Sequence, residues 1–326
     1  MKTPKFYYKK VGLKALLLIP LSFVFWPLSS LRNIFIKPEK LEGRFVICVG
    51  NANVGGSGKT PTCIFLADLL TDVCFVSRGY GRKTKGFIKV NDGLSVEEVG
   101  DEVKILSQKA PVYLFSKYKE IAHNLSQIKE KIIIMDDGMQ NPSIKKDLTF
   151  LVVDGMLKFG NELLLPAGPL RERKASALNK ASAVLYINSK EDFVGGKKPS
   201  FHLQMSFAKL PPSDEKYLAF SGLAVNEKFF STLKSLNLNV VKFLEFEDHH
   251  PYTNSEIEDI IKMAEAENLK IITTEKDIVK IPSNFLLFIS YLKLEIVSTQ
   301  KEEIYRFISS AIIFNSSLEA TKGGMV

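Results

Sequence analysis

Short apolar runs alternate along the chain with amphipathic stretches, and this alternation predicts its secondary structure. The runs have the length of buried strands and lie at Phe45–Val49, Val73–Val76, Lys131–Met135, Leu148–Val153 and Ala183–Ile187. Helical spacing is found between several of them, at Pro61–Leu70, Glu97–Lys109 and Lys119–Lys129. Strands that alternate with helices indicate β-α-β units. The pattern therefore predicts an α/β fold with a mostly parallel sheet and flanking helices.

A second, smaller α/β unit is predicted after the polar, proline-rich segment 210–216. Further short strands are predicted at Tyr217–Phe220, Val240–Leu244, Lys270–Thr273 and Leu286–Ile289. A helix is predicted among them, because Ser255 and Glu258 have the spacing of a capping box before an apolar face. The last helix, at about 302–314, can pack on either unit. The predicted divisions are an N-terminal segment at 1–40, a core domain at 41–209 and a smaller domain at 210–326.

The N-terminal segment has an uncharged stretch from Ala15 to Leu31. Its length is near the lower limit of about 17–25 residues for a helix that spans a bilayer. Pro20 and Pro27 are expected to break or kink a regular helix, and Trp26 suits a membrane interface. The pattern favours an anchor on or partly in the membrane surface. A single span, a buried core helix and a signal peptide remain alternatives.

The amino-acid composition excludes several classes of protein and indicates which kinds of partner the chain binds. The chain has 326 residues, of which 45% are hydrophobic and 25% charged, values that exclude a disordered, collagen-like or coiled-coil chain. Three cysteines in apolar surroundings do not form a disulfide framework and favour a reducing compartment. The net charge is +8. Five lysines lie among the first 14 residues, at Lys2, Lys5, Lys9, Lys10 and Lys14. This basic excess favours anionic partners, either phosphates, acidic lipids or nucleic acid.

The strongest chemical signal is the segment Asn53-Val54-Gly55-Gly56-Ser57-Gly58-Lys59-Thr60. It follows a predicted strand and precedes a predicted helix, which is the context of a phosphate-binding loop. The glycines allow backbone N–H groups to approach phosphate oxygens, and the helix N-terminus adds positive charge. In such a loop Lys59 reaches the β- and γ-phosphates and the Thr60 hydroxyl binds Mg²⁺. Asn53 occupies the position where the strict pattern has glycine. A glycine-rich turn that binds no nucleotide is the alternative.

An apolar strand that ends at Asp136 and Asp137 is the second element of a nucleotide site. It predicts a carboxylate near Mg²⁺ at the carboxyl end of the sheet, with the choice between the two aspartates open. The guanine-specific tetrapeptide Asn-Lys-x-Asp does not occur in the sequence, which favours ATP.

Three further clusters predict a second substrate. The segment 77–83 holds two arginines and a lysine after the second strand, and these suit an anion clamp. The segment 165–172 is a Pro/Gly-shaped loop that ends in Arg171 and Glu172. Asp101 opens a helical stretch. The respective alternatives are a solvated basic turn, a surface salt bridge and a helix N-cap.

Two adjacent histidines follow a carboxylate in the segment Asp248-His249-His250-Pro251-Tyr252. An Asp–His neighbourhood suits proton transfer near neutral pH, because imidazole titrates there. Zinc fits less well, since adjacent histidines seldom chelate one ion and no cysteine cluster accompanies them. A loop histidine bonded to backbone is the alternative.

These motifs together resemble the tetraacyldisaccharide 4'-kinase family, the lipid A 4'-kinases of Gram-negative bacteria. The resemblance spans about residues 12–280. The motifs that carry it, in the family's order, are Val54–Pro61, Ser77–Arg82, Gly100–Glu102, Asp136–Gln140, Leu165–Glu172, Asp248–His249 and Thr274–Asp277. The family's loop also lacks the first glycine. Two positions depart from the family, because Val103 replaces a usual proline and Asn141 a common histidine.

The resemblance implies a P-loop NTPase-like fold and transfer of the ATP γ-phosphate to the 4'-hydroxyl of a tetraacyldisaccharide 1-phosphate. The product is the tetraacylated 1,4'-bisphosphate precursor of lipid A, made at the cytoplasmic face of the inner membrane. No nucleic acid and no obligatory protein partner is implied. A P-loop NTPase switch or metallochaperone, and a membrane-docked protein with a decayed nucleotide site, are the rival interpretations.

The residue roles that follow from motif and resemblance fall into four groups. Asp101 accepts the proton of the sugar hydroxyl, His249 orients it or tunes its pKa, and Lys59 neutralises phosphate charge. The nucleotide is bound by Asn53, Val54, Gly55, Gly56, Ser57, Gly58, Lys59, Thr60, Arg171 and Glu172. The Mg²⁺ ligands are drawn from Thr60, Asp136 and Asp137. The acceptor's 1-phosphate is held by a set drawn from Arg78, Tyr80, Arg82 and Lys83, with a turn that faces the nucleotide as the alternative.

Overall fold

A computed structural model describes residues 4–34, 36–194, 198–223 and 225–323 of the chain. Within these ranges the strands, in chain order, are β1 (Phe45–Gly50), β2 (Val73–Ser77), β3 (Ile88–Lys89), β4 (Val112–Leu114), β5 (Ile132–Asp136), β6 (Leu148–Asp154), β7 (Ala183–Ile187), β8 (Ser200–Phe207), β9 (Lys216–Ser221), β10 (Asn239–Glu245), β11 (Lys270–Thr274), β12 (Ile289–Leu292) and β13 (Leu294–Val297). They form two sheets, ordered β13-β8-β7-β6-β1-β5-β2-β4-β3 and β10-β9-β11-β12.

The helices flank these sheets. The α-helices are α1 (Leu13–Ile34), α2 (Lys59–Asp68), α3 (Val96–Val99), α4 (Asp101–Ser107), α5 (Lys119–His123), α6 (Lys174–Lys180), α7 (Asn226–Ser235), α8 (Asn254–Ala266), α9 (Glu275–Ile278) and α10 (Lys301–Gly323). Short 3₁₀ helices lie at Lys5–Tyr8, Leu125–Gln127 and Ser283–Phe288.

The larger sheet confirms the predicted mostly parallel arrangement. Its centre is β1, which is parallel to β5 and β6, with Ile47 opposite both Ile134 and Leu148. All six residues of β1 are buried, as expected of a strand covered on both faces. The two edges are antiparallel, through the pairs β3–β4 and β8–β13. The carboxyl ends of the parallel strands therefore share one edge, where ligands bind in sheets of this kind.

One predicted helix is divided in two. The stretch predicted as a single helix at 97–109 forms α3 and α4, which meet at Gly100. Gly100 has a φ of 98°, and a Cβ atom there would lie 2.9 Å from the Tyr80 carbonyl oxygen. A side chain is strained in that backbone region, so the helix stops and restarts. The restart places Asp101 at the first position of α4.

The N-terminal helix α1 is continuous, whereas Pro20 and Pro27 were expected to break or kink it. It packs through a narrow face on the loop after β6. The Ser22 hydroxyl donates to the Leu164 carbonyl oxygen at 3.0 Å and accepts from the Ala167 N–H at 3.3 Å. Over the part of the chain that the structure describes, no helix combines the length and apolar character needed to cross a membrane.

The smaller sheet is parallel throughout and corrects two local predictions. Helix α8 is capped by a box of Thr253 and Glu256, two residues before the predicted pair, because the chain turns into the helix there. The strand predicted at Leu286–Ile289 is placed three residues too early in the sequence. Its first three residues belong to a 3₁₀ helix, and β12 begins at Ile289.

The chain returns to the larger sheet after the smaller one. Strand β13 pairs with β8, and Leu294 is opposite Phe207. Helix α10 then covers the larger sheet, with its Phe307 ring 5.6 Å from Phe201 and 6.1 Å from Phe150, centroid to centroid. The last helix, predicted to pack on either unit, therefore packs on the larger one. The segment predicted as the C-terminal domain contributes elements to both sheets.

Candidate active site

The predicted phosphate loop connects β1 to α2 at the carboxyl edge of the larger sheet. Gly58 ends the loop with a φ of 79°, and a Cβ atom there would lie 2.6 Å from side-chain carbons of Ile187 and Met205. The backbone conformation therefore favours glycine at this position, and a Cβ atom would also displace the ends of these two side chains. Hydrogen bonds from the start of the phosphate loop to the segment after β6 hold the remainder of the loop in place. The Val54 N–H donates to the Pro169 carbonyl oxygen at 2.8 Å, and the Asn53 amide donates to the Lys158 carbonyl oxygen at 2.8 Å.

Lys59 and Thr60 begin α2 and point their polar atoms at acidic or amide groups. The Lys59 ammonium donates to Oδ1 of Asn51 at 3.2 Å and lies 3.6 Å from a carboxylate oxygen of Asp137. The Thr60 hydroxyl donates to Oδ2 of Asp136 at 3.4 Å. The α2 helix is ten residues long, so its N-terminal N–H groups and the Lys59 charge make this a favourable place for an anion.

Several buried polar atoms around the loop have no hydrogen-bond partner within the described ranges. They are Nδ2 of Asn51, Oδ1 of Asn53, Oγ of Ser57 and Oδ1 of Asp136. A buried polar group without a partner costs free energy, roughly 1–3 kcal/mol each. Their concentration at one loop is typical of a site that is completed by a polar ligand.

The two aspartates after β5 have different surroundings. Asp137, with a φ of 58°, accepts two bonds from one Arg171 nitrogen at 2.9 and 3.1 Å. Burial acts to raise the pKa of Asp137, but the Lys59 and Arg171 charges outweigh it and hold that pKa below its usual range. Burial raises the pKa of Asp136 to about 6, in spite of the Lys59 charge. Asp137 is thus neutralised by protein cations, whereas Asp136 faces Thr60.

Arg171 and Glu172 reach the site through the loop after β6. The Arg171 N–H donates to the Ala52 carbonyl oxygen at 2.8 Å, which ties this loop to the phosphate loop. Glu172 is buried and accepts from Gln140 at 3.2 Å, from the Ser176 hydroxyl at 2.7 Å and from Lys180 at 2.6 Å. Gln140 also donates to the Asn51 carbonyl oxygen at 2.7 Å. Sequence reasoning missed the parts played by Asn51 and Gln140.

Asp101 lies in α4, beside the larger sheet, and His249 lies in a loop of the smaller sheet. Their side chains are in direct contact. Nδ1 of His249 lies 2.9 Å from Oδ2 of Asp101, although 148 residues separate them. Asp101 is buried at the start of α4, and His249 lies in the loop between β10 and α8 with its side chain about one-third exposed. This pair was predicted from the resemblance alone, because no local pattern links two residues so far apart.

The contact between Asp101 and His249 lowers the pKa of the aspartate and raises the pKa of the histidine. Burial acts to raise the pKa of Asp101, but the hydrogen bond and charge of His249, with Lys280 and Lys276, outweigh it and lower that pKa. The hydrogen bond to Asp101 raises the pKa of His249, against the effect of burial. The carboxylate therefore stays ionised, and the imidazole carries a proton to higher pH than an isolated histidine.

A second contact between the two sheets lies beside this pair. Lys276, from α9, forms an ion pair with Glu102, the residue after Asp101. The charge of Glu102 also helps to raise the pKa of Asp136, which links the start of α4 electrostatically to the aspartates after β5. Sequence reasoning quoted Lys276 within a motif but gave it no role.

The basic turn at 77–83 packs against the start of α4 and is only partly open to solvent. Tyr80 is 80% exposed, and its ring lies 6.1 Å from the His249 ring, centroid to centroid. Arg78 is exposed. Arg82 instead turns inward, donating to the Gly86 carbonyl oxygen at 2.9 Å and to Ser116 at 3.1 Å, and Lys83 forms an ion pair with Glu97. Arg78, Tyr80 and Lys83 are therefore exposed, whereas Arg82 is the member of the predicted set that faces inward.

The fold and the phosphate loop define a nucleotide enzyme of the P-loop NTPase type. Residues 14–312 match the family model described as "Tetraacyldisaccharide-1-P 4'-kinase". The chain belongs to the tetraacyldisaccharide-1-P 4'-kinase family.

Individual relatives agree with this result. The chain is 38% identical over 287 residues to the tetraacyldisaccharide 4'-kinase of Rickettsia bellii, covering 85% of this chain and 89% of that one. It is 37% identical over 286 residues to the enzyme of the same name from Rickettsia conorii, covering 85% and 88%. Its structure is similar to the crystal structure of the "apo" form of LpxK from Aquifex aeolicus in complex with ATP. That match has a TM-score of 0.77 and 30% identity and covers 91% of this chain and 99% of the other. The predicted family, fold class and enzyme class are confirmed, and the protein is a kinase.

Proposed function

We propose that this kinase transfers the γ-phosphoryl group of ATP to the 4'-hydroxyl of a tetraacyldisaccharide 1-phosphate. The observation that carries the proposal is the Asp101–His249 pair at 2.9 Å. Asp101 follows Gly100 at the start of α4 and precedes Glu102, whose charge acts on Asp136. Phosphoryl transfer to an alcohol needs charge neutralisation at the phosphates and a group that accepts the hydroxyl proton. The family and its named relatives support the choice of acceptor.

The nucleotide's phosphates are proposed to lie on the loop 53–60. Buried polar atoms that lack partners support this, with Oγ of Ser57 and Nδ2 of Asn51 the two potential donors among them. Lys59 then moves part of its interaction from Asn51 and Asp137 to the β- and γ-phosphates. Arg171 and Glu172 act by fixing Asp137 and the loop after β6, which is bonded to the phosphate loop at Ala52.

The residues present also fit Mg²⁺. Asp136 has a buried carboxylate oxygen with no hydrogen-bond partner among the residues that the structure describes, and its other oxygen is bonded to the Thr60 hydroxyl. Carboxylate and hydroxyl oxygens are ligands that Mg²⁺ accepts alongside phosphates. We therefore assign Asp136 and Thr60 as the protein ligands and give Asp137 the role of orienting Lys59 and Arg171. When bound, the ion neutralises developing charge on the β- and γ-phosphates.

Proton transfer is proposed to occur at Asp101. His249 holds Oδ2 of Asp101 through Nδ1, which leaves Oδ1 to accept the hydroxyl proton of the acceptor. The lowered pKa of Asp101 keeps it ionised and ready to accept, and the raised pKa of His249 supplies a compensating charge. Arg78 and Tyr80 face outward next to this pair and are proposed to contact the anionic acceptor.

The enzyme is proposed to act at the cytoplasmic face of the inner membrane, held there by its N-terminal segment. Helix α1 exposes apolar side chains on the face opposite Ala15 and Ser22. They are Leu13, Leu16, Leu17, Leu21 and Phe23, all more than half exposed. Four of the five N-terminal lysines are exposed beside it, and Lys2 lies outside the described residues. An apolar helix face flanked by lysines suits an anionic lipid surface.

Transfer of labelled phosphate tests the proposed reaction. With γ-labelled ATP, Mg²⁺ and tetraacyldisaccharide 1-phosphate in mixed detergent micelles, we expect label in the lipid, at a rate that depends on the disaccharide. A matched acceptor already phosphorylated at the 4'-position should take up none. Release of labelled inorganic phosphate, with none in the lipid, would instead favour an NTPase switch.

Vesicle binding tests the proposed membrane contact. Replacing Leu13 and Leu17 by serine should weaken binding to vesicles that contain anionic phospholipid by at least about tenfold, because exposed leucines lose their transfer into the bilayer. Co-sedimentation measures the binding. Leu287→Ser provides the control, since Leu287 is 95% exposed but lies in the smaller unit, and we expect it to bind as wild type does. Equal binding by the double variant would show that α1 is not the contact.

A further inference from the structure

A fully buried carboxylate lies close behind the catalytic pair and has no part in the reaction described so far. Asp277, in α9, is completely inaccessible to solvent. Its Oδ2 accepts from the Gly222 N–H at 3.1 Å and from the Thr274 hydroxyl at 2.6 Å. Its Oδ1 accepts from the Tyr252 hydroxyl at 3.0 Å and lies 2.7 Å from the Lys280 ammonium. A buried carboxylate with three hydrogen bonds and one ion pair is rigidly held.

Two of these partners flank His249. The Gly222 carbonyl oxygen accepts from the His249 backbone N–H at 3.2 Å, and Gly222 is held on its other side by Asp277. Tyr252 follows His249 by three residues and is bonded to the other oxygen of Asp277. A Cβ atom at Gly222 would lie 2.9 Å from the Glu247 carbonyl oxygen, so the chain segments are in close contact here. One carboxylate thus fixes the histidine loop from both directions.

His249 needs such support because of its backbone. Its φ is 60°, in the left-handed region that non-glycine residues seldom adopt and that costs roughly 1–3 kcal/mol. A strained residue persists only where its surroundings determine its conformation. The imidazole reaches Asp101 from this conformation, so relaxation of the backbone would move Nδ1 away from the carboxylate.

We propose that Asp277, acting through Gly222 and Tyr252, is a positioning residue that holds His249 against Asp101. The role attributed to the pair rests on the proposed function, but the placement of His249 does not. Asp277 touches neither nucleotide nor acceptor in this arrangement. It acts by keeping the loop in the one conformation that closes the 2.9 Å contact.

Tyr252→Phe is the sharpest test, because it removes one bond to Asp277 and leaves the ring. That ring packs on Phe220, Phe246 and His250 at centroid distances of 5.3, 5.1 and 5.0 Å, so we expect the variant to fold. Tyr217→Phe is the matched control. Tyr217 is a buried tyrosine of the same sheet whose hydroxyl donates to the Pro212 carbonyl oxygen at 2.7 Å, away from His249.

The readout is the imidazole titration of His249, followed by NMR in the full-length labelled protein. The charged groups that face His249 are Asp101 and Glu102 from α4 and Asp248 from its own loop, and the Tyr80 ring lies beside it. Losing the Asp101 contact should lower the pKa of His249 toward its ordinary value, because that hydrogen bond is the largest cause of the increase. We expect this shift in Tyr252→Phe and none in Tyr217→Phe.

Kinetics separate this inference from the proposed function. For Tyr252→Phe we expect kcat for lipid phosphorylation to fall about tenfold, with the KM for ATP unchanged, since a small displacement of a catalytic contact acts mainly on the chemical step. A fall in kcat with an unaltered His249 titration would overturn the proposal. A shifted titration in an enzyme that phosphorylates no lipid would sustain the positioning role and reject the proposed reaction.

A second variant guards against misfolding of the first. Asp277→Asn combined with Lys280→Met removes the buried charges together, so neither is left unpaired. We expect the same downward shift in the pKa of His249, larger than in Tyr252→Phe because both connections to the loop are weakened. An unchanged His249 titration in this folded double variant would overturn the proposal.

Discussion

Lys59→Met is expected to lower kcat by about 10³ while the protein remains folded and still binds ATP. The Lys59 ammonium is the cation at the start of α2, 3.2 Å from Asn51 and 3.6 Å from Asp137. In phosphoryl transfer its charge interacts most strongly with the γ-phosphate as negative charge redistributes in the transition state. Removing one such preorganised donor typically lowers kcat by about 10²–10³. Because Lys59 carries a full positive charge, we expect a loss near the upper end of this range.

The structure predicts that the fold tolerates this change. Asp137 keeps its paired contacts with Arg171 after Lys59 is removed, so the buried carboxylate is not left without a cation. Methionine fills a similar volume. The pKa of Asp137 should rise, because Lys59 is the largest of the charges that lower it. Steady-state kinetics in both substrates, with thermal unfolding alongside, measure these effects.

Lys109→Met is the matched control. Lys109 forms an ion pair with Asp68, the last residue of α2, and both side chains are more than one-third exposed. Surface ion pairs contribute about 0–1 kcal/mol, so the control should retain wild-type kcat and nearly wild-type stability. A Lys59→Met enzyme with unchanged kcat and a raised KM for ATP would show that Lys59 binds ground state and transition state equally.

Asp101→Asn is expected to lower kcat for lipid phosphorylation by about 10²–10⁴, the usual contribution of a general base. Asparagine preserves the shape of the side chain and can accept a hydrogen bond from His249. It cannot accept the proton of the acceptor hydroxyl as a carboxylate does. Because Asp101 touches no part of the phosphate loop in the structure, ATP affinity should be unaltered. Single-turnover transfer of labelled phosphate separates the chemical step from release of product.

Asp248→Asn distinguishes a specific role from general electrostatics. Asp248 lies 3.8 Å from the other ring nitrogen of His249 and also helps to raise the histidine pKa. If negative charge near His249 were all that mattered, the two variants would lose similar activity. We expect Asp248→Asn to retain most of its kcat. Similar large losses in both variants would argue against Asp101 as the proton acceptor.

The linear motifs allowed half of this site to be found without the structure. A strand, a glycine-rich turn and a helix N-terminus are consecutive in the chain, so Lys59 and Thr60 could be placed by local pattern alone. Asp136 and Asp137 followed from the rule that parallel strands end at one edge. The proposed choice between them rests on tertiary contacts, because Arg171 contacts Asp137 and Thr60 contacts Asp136.

The elements that sequence reasoning missed depend on distant partners. Strand β4 has three residues, and β8 mixes buried and exposed positions, so neither produces a clear apolar run. Strand β13 exists because β8 offers it an open edge some 90 residues earlier in the chain. The error at Leu286–Ile289 has a similar cause, since an apolar run does not distinguish a 3₁₀ turn from the first residues of a strand.

The second half of the site required tertiary information of another kind. Asp101 and His249 were paired through the family resemblance, whereas the contact itself depends on how two sheets pack. Asp277 was part of a quoted motif, yet nothing in the letters Thr-Glu-Lys-Asp shows that Lys276 reaches Glu102 while Asp277 turns inward to Gly222. Successive side chains of the short helix α9 point in different directions, and only the packed structure shows which partner each of them contacts.

The return of the chain to the larger sheet has a consequence for synthesis. Strand β13 and helix α10 leave the ribosome after every strand of the smaller sheet, and both complete the larger sheet and its cover, which began with β1. Until Ile304 and Ile308 arrive, their fully buried sites in the core are uncovered. The strands of the smaller sheet lie between β8 and β13 in the chain. The smaller sheet can therefore assemble while the larger sheet still lacks β13 and α10. A nascent chain stalled before residue 294 therefore presents apolar surface to chaperones, and loss of the last 25 or so residues of the described chain should burden folding rather than catalysis.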